Sequence, residues 1–186
     1  MSKETELFET ERVPRKQPIV HGSHNLSGQI EWYTPKQYID SANRVMGTID
    51  CDPASSDLAQ KVVNATIYHT LKDNGLAYPW EGTVWLNPPY TSKIVSAFVD
   101  KLLAHLQDRE VTQAILLTHN NADTVWFHKA CQKCAAACFT RGRVRFYNSN
   151  GTASSPTHGH TFMYFGRRVQ KFKAEFCQYG WIVKGM

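Results

Sequence analysis

The chain has 186 residues, of which 42% are hydrophobic and 12% aromatic, a composition that excludes an intrinsically disordered protein. No apolar run approaches the roughly 20 residues that cross a bilayer, and the polar, acidic N-terminus does not resemble a secretory signal. We therefore expect a cytoplasmic protein with no membrane partner. The net charge of +5 is compatible with a polyanionic partner, but many cytoplasmic proteins are mildly basic.

The chain is expected to contain one domain preceded by an arm. Residues 1–28 are polar, carry both charges and lack periodicity, which predicts a flexible N-terminal arm. Residues 29–186 carry the periodic segments and contain no internal repeat, so they predict a single domain.

Hydrophobic periodicity and turn residues predict alternating strands and helices along this domain. In chain order we expect helix 36–46 ended by Gly47, strand 48–51, a turn at Asp52-Pro53, helix 55–63, strand 64–70, strand 82–86, helix 92–107, strand 113–119, helix 123–137, strand 143–148 and strand 160–166. This alternation predicts an α/β fold with a mostly parallel sheet and helices on both faces. The last two strands are expected to pair as an antiparallel closing hairpin.

Three cysteines near the middle of the chain raise the question of a zinc site. Cys131, Cys134 and Cys138 follow His128, but their spacing also describes one stripe of a helix. The segment has no glycine or proline to build a zinc knuckle, and its alanines favour helix. We therefore predict packed thiols and no metal.

The sharpest chemical feature is LNPPY, which directly follows the predicted strand 82–86. Pro88 and Pro89 fix φ and remove two N–H donors, leaving a rigid turn with carbonyls that are free to accept hydrogen bonds. The side-chain oxygen of Asn87 and the carbonyl of Pro88 can then hold one planar –NH2 group, and Tyr90 offers a face for an aromatic base. The pattern indicates transfer of a group to an amino nitrogen, with Asn87, Pro88, Pro89 and Tyr90 as catalytic candidates.

The sequence resembles the phage-type, Dam-like DNA N6-adenine methyltransferases from about residue 31 to residue 166. The resemblance rests on EWYTP, IDCDPASS, DNGL with a following Trp80, LNPPY, TVWF, RGRVRF and MYFG. It implies a Rossmann-like methyltransferase fold, S-adenosylmethionine as methyl donor and adenine in double-stranded DNA as acceptor. We expect a phage- or prophage-encoded enzyme that acts as a monomer in the cytoplasm of the bacterial host.

Two interpretations of the cofactor site remain open. In one, Asp52-Pro53-Ala54 forms the first cofactor loop, and Thr34-Pro35, 18 residues upstream, flanks the cofactor carboxylate as in similar enzymes. In the other, Asp50 accepts from both ribose hydroxyls and Asp73 lies near the cofactor's adenine amino group. The spacing of 37 residues from Asp50 to Asn87 favours the second interpretation, and the Thr-Pro spacing favours the first. The glycine-rich loop usual in these enzymes is absent.

The segment RGRVRF contains the candidate DNA contacts. An enzyme that acts on a base in a duplex must turn that base out of the stack, which requires a hold on the phosphates and an aromatic wall. Arg141 and Arg143 are the candidates for the phosphates, and Phe146 is the candidate to stack opposite Tyr90. The alternative is that Phe146 is a core residue and the arginines are only solvated.

Other acceptors and one other class of protein also fit the motif. Cytosine N4, an RNA base and a protein glutamine amide all present a planar –NH2 group, and LNPPY does not separate them from adenine. A non-catalytic DNA-binding relative with the same fold is the alternative from another class.

Overall fold

Alternating strands and helices build one seven-stranded sheet in this computed structural model, which describes residues 33–154 and 156–185. The strands, numbered in chain order, are β1 Cys51–Ser55, β2 Ile67–Thr70, β3 Gly82–Leu86, β4 Val111–His119, β5 Ala136–Thr140, β6 His160–Phe165 and β7 Gly180–Lys184. The helices are α1 Lys36–Met46, α2 Gln60–Val63, α3 Ser92–Gln107, α4 Val125–Lys133 and α5 Val169–Phe176, with a 3-10 turn at Gly75–Ala77. The arm predicted over residues 1–28 lies outside the described residues.

The strand order is β2-β1-β3-β4-β6-β5-β7. Strands β1 to β4 run parallel, β6 is antiparallel to β4, β5 is antiparallel to β6, and β7 is antiparallel to β5. The predicted α/β Rossmann-like fold is confirmed. We call the edge of the sheet at which β1, β3 and β4 end the carboxyl edge, where ligands bind in open α/β sheets.

Helices cover both faces of the sheet. Val84 and Leu86 of β3 pack in the cluster under α3 and α4, whereas Trp85 between them packs in the cluster under α1 and α5. The alternation follows from the two-residue period of a strand, and burial on both faces explains why β3 is apolar from Val84 to Leu86. Strand β3 is therefore a rigid support for the turn that follows it.

Two of the helices begin and end where the sequence predicts. Helix α1 covers residues 36–46 and α3 covers residues 92–107. Gly47 ends α1 with a φ of 100°, and its N–H donates to the carbonyl of Asn43 over 2.7 Å. That conformation favours glycine because a Cβ atom is disfavoured there. Within the described residues, every helix is too short or too polar to span a lipid bilayer.

The first strand is displaced from its predicted position. The prediction was a strand over 48–51 and a turn at Asp52-Pro53, but β1 runs from Cys51 to Ser55 and contains that dipeptide. Its register with β2 shifts between Asp52 and Ser55. A shift of this kind accommodates a proline, which lacks an N–H group for the ladder. Helix α2 is correspondingly shorter than predicted and begins at Gln60.

The cysteine-rich segment is divided between a helix and a strand. A helix was predicted over 123–137, but α4 ends at Lys133 and β5 begins at Ala136. Cys131 lies on the helix, Cys134 follows it, and Cys138 is in the strand, so the three thiols do not form one helical stripe. Pairing of β5 with β6 on one side and β7 on the other outweighs the helix propensity of the alanines.

The closing hairpin exists but uses a different strand. The prediction paired residues 143–148 with β6, whereas the antiparallel partner of β6 is β5. In segment 143–148 the β pairing is limited to isolated bridges at Tyr147. Helix α5 and strand β7 were not predicted, and β7 extends the sheet beyond β5.

Candidate active site

A cavity of about 280 Å³ opens at the carboxyl edge between β1 and β3. Its lining comes from the segment before α1, from β1 and the turn after it, from α2, and from β3 and the turn after it: Tyr33, Thr34, Asp52, Ala54, Ser55, Ser56, Ala59, Val62, Val63, Trp85, Asn87, Pro88, Pro89 and Tyr90. All four residues of the predicted catalytic turn therefore contact one space with part of the predicted cofactor loop.

The side-chain amide of Asn87 is held at both ends. Its Nδ2 donates to Oγ1 of Thr34 over 3.3 Å, and its Oδ1 accepts from the hydroxyl of Tyr90 over 2.5 Å. Pro88 is buried, whereas Asn87 and Tyr90 are half-buried. An amide oxygen has two acceptor positions, so one position on Oδ1 remains for another donor.

Tyr90 packs against a group of histidines from β4 and the start of β6. The ring centroids of Tyr90 and His119 lie 3.9 Å apart, and His119 in turn stacks on His158 at 4.7 Å. His160 meets His119 edge to face at 5.1 Å. We refer to His119, His158 and His160 as the histidine stack. It covers part of the Tyr90 ring, which limits how that ring can turn.

The two inner histidines are neutral near pH 7. Burial lowers the pKa of both His119 and His160 to about 4, and the neighbouring imidazoles act in the same direction. The backbone N–H of Val144 donates to Nδ1 of His160 over 3.3 Å, so the neutral ring carries its proton on Nε2. The stack therefore acts as an aromatic support, and it joins the RGRVRF segment to Tyr90.

On the other side of the cavity, Asp52 is the buried acid. It is 2% exposed, and Nε2 of Gln60 donates to its Oδ2 over 2.9 Å. Burial raises the pKa of the Asp52 carboxyl to about 6, although hydrogen bonds from Ser55, Ala54 and Gln60 act in the opposite direction. A cation in the cavity would therefore stabilise the ionised form of the Asp52 carboxyl.

The segment RGRVRF, residues 141–146, which we call the arginine segment, lies at the same edge because β5 ends and β6 begins there. Val144 and Phe146 are buried, while Arg143, Arg145 and Tyr147 are exposed. Arg141 is exposed as well. Among the described residues none of these three arginines forms an ion pair with an acid, so their charge is available at the surface.

A family model for DNA N-6-adenine-methyltransferase (Dam) matches residues 24–176. The chain belongs to the Dam family. The match covers the cavity, the Asn87–Tyr90 turn and the arginine segment. No curated protein matches the sequence.

Asp50 does not reach the cavity of this Dam-family chain. Its Oδ2 accepts from the backbone N–H of Thr83 over 2.8 Å and from the Thr83 hydroxyl over 3.0 Å, at the start of β3. It therefore lies at the edge of the sheet opposite the cavity. A Cβ atom on Gly82 would come within 2.3 Å of this carboxylate, so the glycine is required for the approach. Asp50, which one interpretation assigns to the cofactor ribose, is therefore not brought together with the residues that line the cavity.

Three other expected cofactor residues also lie outside the cavity lining. Asp73 follows β2, and its carboxylate accepts from the N–H and the hydroxyl of Thr70 at 2.8 and 2.7 Å. Pro53 is within β1, and Pro35 begins α1 as its N-cap residue. Of the cofactor candidates, the structure brings Thr34, Asp52 and Ala54 together at the cavity.

Phe146 lies in the core and not on the surface. It is 6% exposed and meets His160 edge to face at 5.3 Å. The rings beside Tyr90 are those of the histidine stack. The sequence analysis did not identify these histidines, although His119 ends an apolar run, and sites in open α/β sheets form at the carboxyl ends of strands.

Among residues 33–154 and 156–185, no group of three His, Cys, Asp or Glu side chains is arranged to hold a metal ion. The thiols of Cys134 and Cys138 are buried, and burial raises the pKa of each to about 12. Thiols in this state are core groups and not nucleophiles.

Proposed function

We propose that this chain transfers a methyl group from S-adenosylmethionine to the exocyclic N6 of adenine in double-stranded DNA. The observation that carries the proposal is the shared cavity, in which the Asn87–Tyr90 turn faces the Asp52–Ser56 segment across the ends of β3 and β1. The Asn87–Tyr90 turn has the hydrogen-bond acceptors for an amino group. The Asp52–Ser56 segment has a carboxylate and hydroxyls that suit a cationic methyl donor. Membership of the Dam family supports adenine N6 as the target.

Asn87 and Pro88 act on the target nitrogen. The free acceptor position of the Asn87 oxygen and the Pro88 carbonyl each take one hydrogen of the –NH2 group. Holding both hydrogens favours tetrahedral geometry and directs the nitrogen lone pair towards the cavity. Asn87 is neutral and is not the base. Acceptors held in place before the reaction stabilise the transition state without reorganisation.

The opposite wall suits S-adenosylmethionine, which carries a sulfonium and an ammonium group. The carboxylate of Asp52 can pair with a cation, and the hydroxyls of Ser55 and Ser56 line the same space. The volume of about 280 Å³ lies just below the range of small-molecule pockets, about 300–1,000 Å³. It suits the part of the cofactor around the sulfonium.

Bound beside Asp52, S-adenosylmethionine would supply an electrophilic methyl group for the amino nitrogen held by Asn87 and Pro88, its sulfur would leave as a neutral thioether, and one proton of the nitrogen would pass to water. The side chains of this protein act by alignment and exclusion of water. Alignment of two reactants contributes about 7–11 kcal/mol in favourable cases.

The DNA is held beside the cavity by the exposed face of the arginine segment. Arg141, Arg143 and Arg145 carry the positive charge that phosphate contacts require. Tyr90, supported by His119, provides the face on which the extruded base stacks. The resemblance to phage-type enzymes supports a phage or prophage enzyme that acts on DNA in the host cytoplasm.

The experiment is to incubate the protein with unmethylated double-stranded DNA and methyl-tritiated S-adenosylmethionine, and then to analyse the nucleosides. We expect label in N6-methyldeoxyadenosine. Label in N4-methyldeoxycytidine would identify cytosine as the acceptor instead. Label in parallel incubations with RNA or protein, but not in DNA, would identify an RNA base or a glutamine amide. No incorporation, together with DNA binding, would identify a non-catalytic relative and refute the proposal.

The matched pair of variants for this assay is Asn87→Ala and Asn43→Ala. Asn87→Ala should lower turnover by about 10²–10³ or more, the usual effect of removing one preorganised polar group. Asn43 lies in α1, outside the cavity lining, and alanine favours helix, so turnover should be unchanged.

A further inference from the structure

Thr34 touches the catalytic amide directly, although it lies 53 residues before Asn87 in the chain. Oγ1 of Thr34 accepts from Nδ2 of Asn87 over 3.3 Å, on the side of the amide opposite to the Tyr90 hydroxyl. The two contacts hold the amide at both ends, and in this arrangement its oxygen lies at the Tyr90 end. That end must face the target amino group if Asn87 is to accept from it.

We propose that Thr34 is a positioning residue that keeps the Asn87 amide in the orientation needed for catalysis. This inference rests on the proposed function, and it gives Thr34 a role other than binding the cofactor. If the amide turned over, its –NH2 group would face the –NH2 group of adenine. Two donors would then meet, and the acceptor that shapes the target nitrogen would be lost.

Thr34 is suited to this role because its backbone is fixed on both sides. Tyr33 forms two backbone hydrogen bonds with Tyr147, at 2.6 and 3.0 Å. On the other side Pro35 begins α1, and its carbonyl accepts from the N–H of Tyr38 over 3.1 Å. Thr34 is held between a bridge and a helix start, and its hydroxyl therefore has a defined place relative to β3.

The same bridge connects Thr34 to the arginine segment. Tyr147 follows Arg145 and Phe146, and its pairing with Tyr33 brings that segment against the segment that contains Thr34. The other end of the amide is connected to the arginine segment through Tyr90, His119 and the Val144 contact of His160. Both ends of the Asn87 amide are thus supported from the surface proposed to hold DNA.

The test compares Thr34→Val, which keeps the shape and removes the hydroxyl, with Thr34→Ser, which keeps the hydroxyl. Thr112→Val is the matched control, because Thr112 lies at the amino end of β4 and its hydroxyl contacts the carbonyl of Gly82. For each protein we would measure thermal unfolding, turnover at saturating DNA and cofactor, and the Kd values for S-adenosylmethionine and DNA.

Thr34→Val should lower turnover at saturation by up to about 100-fold, the scale of a misplacement of about 1 Å, with both Kd values within about twofold of the wild type. Thr34→Ser and Thr112→Val should remain within a few-fold of the wild type. A Thr34→Val protein with weaker cofactor binding and normal turnover at saturation would make Thr34 a cofactor contact and overturn the inference. Unchanged turnover and binding would overturn it as well.

A second measurement does not depend on activity. The side-chain –NH2 resonances of Asn87, assigned by their loss in Asn87→Ala, should shift and exchange faster with water in Thr34→Val but not in Thr34→Ser. Unchanged resonances in a folded Thr34→Val protein would refute the positioning role. If the wild-type protein methylates no DNA while these resonances respond as expected, the proposed function fails and the contact remains only structural.

Discussion

The hydroxyl of Tyr90 donates a hydrogen bond to the side-chain oxygen of Asn87 over 2.5 Å. The aromatic residue of the LNPPY turn is therefore connected to the acceptor of the same turn, and the two side chains are expected to act together. This relationship separates two roles of Tyr90: its ring can stack on a base, and its hydroxyl can hold the amide.

Variants of Tyr90 should be less damaging than Asn87→Ala. Tyr90→Phe removes one hydrogen bond, with a net contribution of about 0.5–1.5 kcal/mol, so turnover should fall by about tenfold or less. Tyr90→Ala also removes the stacking face, about 1–3 kcal/mol per base, and should mainly raise the KM for DNA. Steady-state kinetics check the order, and a Tyr90→Phe enzyme as inactive as Asn87→Ala would contradict it.

The pKa of Asp52 predicts a pH dependence of cofactor binding. Burial raises the pKa of this carboxyl to about 6, so below pH 6 the free protein holds it in the neutral form. Affinity for S-adenosylmethionine should then weaken by up to about tenfold for each pH unit below 6, because the carboxylate must form before it can pair with the cation. Calorimetry between pH 5 and about 7.5 measures this.

Asp52→Asn is the control for that titration. It removes the ionisable group while keeping the size of the side chain, so binding should be weaker at pH 7 and nearly independent of pH. A wild-type profile that is flat between pH 5 and about 7 would remove the Asp52 carboxylate from the cofactor site.

Asp50→Ala should reduce stability and leave cofactor binding intact. The Asp50 carboxylate accepts two hydrogen bonds from Thr83 and one from Thr48, at the edge opposite the cavity. Loss of hydrogen bonds to a charged group should lower the free energy of unfolding by about 1.5–3 kcal/mol. Asp108→Ala, which removes an exposed acid, should stay within about 0.5 kcal/mol. Denaturant unfolding and calorimetry separate the two effects, and a loss of cofactor affinity would restore the ribose interpretation.

Arg143→Ala combined with Arg145→Ala should weaken DNA binding in a salt-dependent way. The two arginines share the exposed face of the segment, so each is expected to contact one phosphate. The slope of log K against log salt should become less steep by about two units. Arg167→Ala combined with Lys133→Ala removes the same charge from the opposite edge of the sheet, where β6 ends and β5 begins. If both pairs change the slope equally, the effect is one of net charge and not of contact.

The histidine stack predicts a loss of stability in acid. Folding lowers the pKa of His119 and His160 from 6.5 to about 4, so between these values the unfolded chain binds more protons than the folded one. The free energy of unfolding should therefore decrease as the pH falls from 6.5 to about 4. His160→Asn keeps an acceptor for Val144 and should make this dependence shallower, whereas His128→Asn on helix α4 should not. Equal slopes for the two variants would contradict a buried neutral His160.

The sequence by itself determined the features that depend on local pattern. Helices α1 and α3 and strand β3 have the bounds that periodicity and turn residues predict. The position of LNPPY at the end of β3 followed from the same reasoning, because two prolines cannot continue a strand ladder. The α/β class followed from alternation alone, and the family resemblance was already carried by ordered short motifs.

Only the tertiary structure decided which candidates share the cavity. Asp50 and Asp52 are two residues apart, yet Asp50 precedes β1 and bonds to Thr83, whereas Asp52 lies within β1 and lines the cavity. The exact residues of a short strand depend on its partners. Strand β5 likewise exists because β6 and β7 pair with it, against the helix propensity of its alanines. The contacts of Asn87 with Thr34 and of Tyr90 with His119 join distant segments, and local sequence cannot specify contacts that form only when the sheet has assembled.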